Sequence, residues 1–95
     1  MNRRLHIGGT VRVEGWEVLN AIGGPHVDHV GNAEDLSRFT DGSFDVLYAS
    51  HVVEHFDYRD RLVAALREWN RVLTPGGRVY VSVPDLDILA RLLLD

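Results

Sequence analysis

The sequence predicts a single α/β domain built on a parallel sheet, and three observations carry that expectation. A short β-rich run, "FDVLYAS" (Phe44–Ser50), is followed by a helical stripe and then by an alternating run, "RVYVSVP" (Arg78–Pro84). Strand, helix and strand in that order make a parallel pair joined by a crossover. Three further strand-like runs, "RLHIG" (Arg4–Gly8), "GWEVLN" (Gly15–Asn20) and "HVDHVG" (His26–Gly31), precede them. A chain of 95 residues holds one domain, spanning 1–95. At this size roughly two-thirds of the unfolded surface is buried on folding, enough for a modest core.

Taken in order, the first half is compressed. Only "GTVRVE" separates the first two strand-like runs and "AIGGP" the next two. A parallel crossover normally needs about a dozen residues. Either these crossovers lack helices or two of the strands pair antiparallel. "NAEDLSRF" (Asn32–Phe39) suits a helical turn, and "TDGS" marks the turn before Phe44. Beyond it, Leu62, Ala65, Leu66, Trp69, Val72 and Leu73 fall on one stripe of an amphipathic helix near 58–73. Asp57 is its expected N-cap, and "TPGG" (Thr74–Gly77) its stop. After the "RVYVSVP" strand, "DLDILARLLLD" predicts a second helix near 85–94, with Asp85 as N-cap.

Composition removes several function classes. The net charge of −4, with all ten basic residues arginine and scattered, gives no nucleic-acid footprint. The absence of cysteine excludes disulfides and thiolate chemistry. "MNRRLHIGGT" lacks the apolar core of a signal peptide, and "ILARLLL" is too short to span a bilayer. A cytoplasmic protein with no membrane partner is the expectation.

"DLSRFTDGSFDVLYASHVVEHF" and "ALREWNRVLTPGGRVYVSVPDL" carry a resemblance. From Leu5 to about Leu86 the chain resembles the class I S-adenosylmethionine-dependent methyltransferases, and most of all the type-11 group. The resemblance implies a Rossmann-like three-layer fold whose sheet of about five mostly parallel strands is ordered 3-2-1-4-5, here without the family's strands 6 and 7. Strands 1 and 4 then flank a topological switch point, where open α/β sheets bind ligands at the carboxyl ends of the strands. The cofactor implied is S-adenosylmethionine, against Gly8, Gly9, Asn20, Asn32, Ala33, Ser50 and His51. Two departures stand out. The family's glycine motif is here "GGT" (Gly8–Thr10), and its two carboxylates are the amides Asn20 and Asn32. A charge-assisted bond is about twice as strong as a neutral one, so restoring Asp at both positions is expected to tighten cofactor binding.

His51, Glu54 and His55 also spell H-x-x-E-H, a zinc-peptidase pattern. Such a site needs a third ligand, a second shell and a substrate cleft. The sole glutamate downstream of His55 is Glu68, on the polar side of the helix, and the longer match explains the same letters. No metal site is therefore assigned. Within the resemblance His51 is the candidate base, needed only when the methyl acceptor must lose a proton. It also reads as a helix-start residue bonded to nearby backbone, and Glu54 and His55 as structural. The acceptor, a small molecule or a macromolecule, is not specified by these residues. The alternative function is a non-catalytic methyltransferase-like interaction module with weak or no cofactor binding. Sparse cover on the first three strands, a free fifth-strand edge and a leucine-rich terminal helix together predict a homodimer.

Overall fold

The computed structural model describes residues 3–9, 13–50, 59–83 and 86–90. Its elements in chain order are β1 (Arg4–Ile7), β2 (Glu17–Asn20), β3 (His29–Val30), β4 (Phe44–Ser50), α1 (Arg59–Val72), β5 (Leu73–Val83) and β6 (Leu86–Ala90). They form one sheet ordered β3-β2-β1-β4-β5-β6, so the expected 3-2-1-4-5 core is present. All pairs among β1 to β5 are parallel. That settles the open question in the first half. β1 and β2 run parallel although only residues 8–16 join them, and β2 and β3 are joined by 21–28. No helix occurs among the described residues of either connection.

Parallel register fixes which side chains share a face. Ile7 lies opposite both Leu19 and Ala49, and Leu5 opposite Leu47, so these residues point one way. They form one face of the core with Val79, and the face is closed by Ala65, Trp69 and Val72 of α1 together with Leu36 and Phe39. The helical stripe is buried as its spacing requires. Trp69 is fully buried, and its indole donates to the Ala33 carbonyl at 2.7 Å. Arg71, in the last turn of α1, donates to the carbonyls of Leu36 and Phe39 and pairs with Asp41 and Glu68. The connection from β3 to β4 is thus fastened to the helix by side chains rather than by a helix of its own.

The opposite face carries the alternate residues Arg4, His6, Val46, Tyr48, Arg78 and Tyr80, in register across β1, β4 and β5. No helix among the described residues lies on it.

Two expectations are corrected at the carboxyl end. The segment 86–90 is a strand, not the start of a helix spanning 85–94. It pairs antiparallel with β5, from Val79 opposite Ala90 to Val83 opposite Leu86. The edge of β5 is consequently covered, and β6 is the outer strand. The physical reason is the unpaired row of backbone donors and acceptors that β5 would otherwise present, which overrides the weak helix preference of a leucine-rich segment. "TPGG" also does more than stop α1: Leu73 already pairs with Phe44, and the register then shifts before Arg78 pairs with Val46. Gly76 takes φ 80° in that irregularity, a left-handed conformation suited to glycine. Among the described residues no helix is long and apolar enough to cross a membrane.

Candidate functional site

Four parallel strands deliver their carboxyl ends to one edge of the sheet. β1 ends into Gly8 and Gly9, β2 ends at Asn20, β3 runs into Gly31, Asn32 and Ala33, and β4 ends at Ser50. The chain leaves β1 toward β2 on one side, then returns from β3 to β4 on the other. The junction of β1 and β4, where Ile7 and Ala49 are in register, is therefore the sheet's topological switch point, the place where open α/β sheets bind ligands.

The Gly8–Gly9 turn has a local explanation. Gly8 takes φ 85°, a conformation strained for any side chain with a Cβ, while its N–H donates to Leu19 O at 2.7 Å and prolongs the β1–β2 ladder. Gly9 is buried, and a Cβ there would come within 2.5 Å of His6 Nδ1. The turn is therefore packed down onto the imidazole, and its glycines are needed for two separate reasons.

Asn20 is held on three sides. Its Nδ2 donates to the Gly9 carbonyl at 2.8 Å, its Oδ1 accepts from the Ile22 N–H at 3.0 Å, and its own carbonyl accepts from Gly31 N–H at 3.0 Å. Asn32 is exposed, and its amide has no hydrogen-bond partner among the described residues; its carbonyl accepts from Asp35 N–H in a turn. Ala33 is half-buried and anchored through Trp69. Ser50 lies opposite Ser82 of β5, which is buried. Thus Gly8, Gly9, Asn20, Asn32, Ala33 and Ser50 come to the same edge of the sheet. His51, Glu54, His55, Asp57 and Thr10 lie outside the described residues, as does Asp85.

Sequence reasoning passed over His6. It sits on the face of β1 opposite Leu5 and Ile7, with its ring 4.8 Å from that of Tyr48, and Trp16 meets Tyr48 edge-on at 6.4 Å. Its Nε2 is buried without a hydrogen-bond partner, and burial pushes its pKa below the usual imidazole value. The signal was present in "LHIG": strand alternation puts the histidine away from the core and three residues before Gly9. A pH effect follows. The unfolded imidazole takes up a proton near its ordinary value of 6.5, and the folded one at lower pH. The unfolded state then binds more protons in that window, so stability is full above about pH 6.5 and falls as the pH drops through it. Urea denaturation at pH 7.5 and 5.5 should show this loss in the native sequence and a smaller one in His6→Phe. Equal losses would contradict the assignment.

Comparison with known proteins now bears on these features. A family model described as "Methyltransferase domain" matches residues 17–81, from the start of β2 into β5. The chain belongs to this methyltransferase domain family. Curated relatives named "Probable tRNA methyltransferase 9B", from Mus musculus and Homo sapiens, are 38% identical over 45 residues, which is 47% of this chain and 10% of theirs. The match thus spans about a tenth of the length of those relatives. Among solved structures, the YcgJ protein from Bacillus subtilis is 25% identical with a TM-score of 0.61, covering 84% of this chain and 43% of that one. The trans-methyltransferase CalH, in complex with SAH, is 17% identical with a TM-score of 0.62, covering 84% of this chain and 31% of its own. An arsenic(III) S-adenosylmethionine methyltransferase from Chlamydomonas reinhardtii is 22% identical with a TM-score of 0.57, covering 84% and 38%. At 17% and 22% identity, CalH and the Chlamydomonas enzyme speak for the fold alone.

Proposed function

We propose that the domain binds S-adenosylmethionine over the carboxyl ends of β1 to β4 and serves methyl transfer. The observation that supports this most is the glycine turn of β1 set beside the end of β4 at the switch point, in a chain of the methyltransferase domain family. The cofactor, once bound, supplies an electrophilic methyl group. The chain's part is binding, alignment and exclusion of water. Gly8 and Gly9 give close backbone approach, Asn20 lies where ribose hydroxyls would come, and Asn32 and Ala33 lie toward the adenine. Ser50 and His51 would face the reacting end, with His51 as base for an acceptor that must lose a proton. The shared stretch with the tRNA methyltransferases is too small a part of those proteins to bring an acceptor with it. The net charge of −4 and scattered arginines give no support to a nucleic-acid partner.

Calorimetric titration with S-adenosylmethionine and S-adenosylhomocysteine tests this reading. Saturable binding of both is the expected result, and none at millimolar ligand would overturn it. In that event the second reading, a non-catalytic interaction module, takes its place; it is favoured by the engagement of Asn20 with the protein's own backbone.

We also infer a cytoplasmic homodimer, now through the open sheet face. That face carries Tyr80, 37% exposed, and is without a helix among the described residues. Light scattering should give twice the chain mass of 10.7 kDa; the single mass would refute it.

A further inference from the structure

We propose that Asn20 is a positioning residue: its side-chain amide is a strut that holds the β1 glycine turn and the loop after β2 in one fixed arrangement. The inference rests on the cofactor site proposed above and concerns how that site is kept in shape. Asn20 donates through Nδ2 to Gly9 O at 2.8 Å and accepts through Oδ1 from Ile22 N–H at 3.0 Å. Both are ordinary hydrogen-bond lengths. Through its backbone it also receives Gly31 N–H, so three of the loops at the carboxyl edge meet on one residue.

The geometry requires an amide. A carboxylate has no donor when ionised. Asp at this position could still accept from Ile22, but its second oxygen would face the Gly9 carbonyl at the distance of a hydrogen bond, with no proton between them. Gly9 is buried and packed close to the His6 ring, which limits how far the turn can shift to relieve that contact. The amide is therefore suited to this turn, and is not merely a weakened copy of an acid. This reverses the sign expected from sequence, in which Asp at position 20 tightens binding.

The test compares S-adenosylhomocysteine affinity in the native protein, Asn20→Asp and Asn20→Ala, with amide hydrogen exchange measured on each without ligand. Asn20→Asp should bind about tenfold more weakly at neutral pH, equivalent to about 1.4 kcal/mol. Relative to the native protein at the same pH, the deficit should shrink as the pH approaches the carboxyl pKa, because the protonated acid can again donate to Gly9 O. Exchange at Ile22 should stay slow in Asn20→Asp and speed up in Asn20→Ala. Tighter binding by Asn20→Asp, or a deficit independent of pH, would overturn the strut. If no form binds the ligand, the cofactor reading fails separately. The strut then stands on the exchange data, and an Ile22 amide as fast in the native protein as in Asn20→Ala refutes it.

Discussion

Trp69→Ala should remove a large part of the stability of this domain. The indole is fully buried between α1 and the sheet, in contact with the core formed by Leu5, Ile7, Leu36 and Leu47. Truncating a buried tryptophan costs about 3–5 kcal/mol through lost burial and the cavity left behind. A domain of this length has roughly 5–14 kcal/mol in all, at the usual 0.05–0.15 per residue. The indole N–H adds a second effect, because it satisfies Ala33 O at the start of the β3–β4 connection. Trp69→Phe keeps much of the apolar area but orphans that carbonyl, and should cost about 1–2 kcal/mol. Urea denaturation followed by far-ultraviolet circular dichroism measures both. A change below about 1 kcal/mol for Trp69→Ala would mean that the helix does not close the core as described.

Arg71→Ala comes next in size. The guanidinium donates to Leu36 O and Phe39 O, at 2.9 Å each, and pairs with Asp41 and Glu68. Its partners hold it protonated well above the ordinary arginine range, the Glu68 bond foremost. Its side chain is 31% exposed, so the bonds to the backbone matter more than the ion pairs, which water partly screens. Losing them should cost about 2 kcal/mol and loosen residues 36–41 first. The acid limb should change as well. The Glu68 carboxyl is held below its ordinary value, chiefly by the Arg71 bond. Its contribution is present above the unfolded value of about 4.5 and is lost as the pH falls through the folded one. In Arg71→Ala that loss between about pH 5 and 3 should be smaller. An unchanged acid limb, or residues 36–41 as protected from exchange as before, would contradict the clamp.

The elements legible in the sequence are those whose periodicity and burial agree. The stripe from Leu62 to Val72 became α1, and "FDVLYAS" became β4, because one buried face decides each. The 86–90 segment misled because its leucines suit helix and strand alike. What selected the strand was the free edge of β5, a tertiary fact. The pairing of β1, β2 and β3 was ambiguous because connection length alone does not choose between parallel and antiparallel. At the site, the positions of Gly8, Asn20 and Ser50 followed from where the strands end. The bonds of Asn20 did not: its letter shows an amide in place of an acid, but not the two backbone groups that the amide joins. For His6, alternation in "LHIG" gave its face, but not the packing of the Gly9 turn onto its ring.

Chemical-shift mapping with S-adenosylhomocysteine tests the central claim most directly, because it reads both occupancy and place. The account predicts saturable shifts concentrated at Gly8, Gly9, Asn20, Asn32 and Ser50, along the carboxyl edge of β1 to β4. Saturable shifts confined to the other end of the sheet, around Arg3, Arg4 and Asp45, would contradict it.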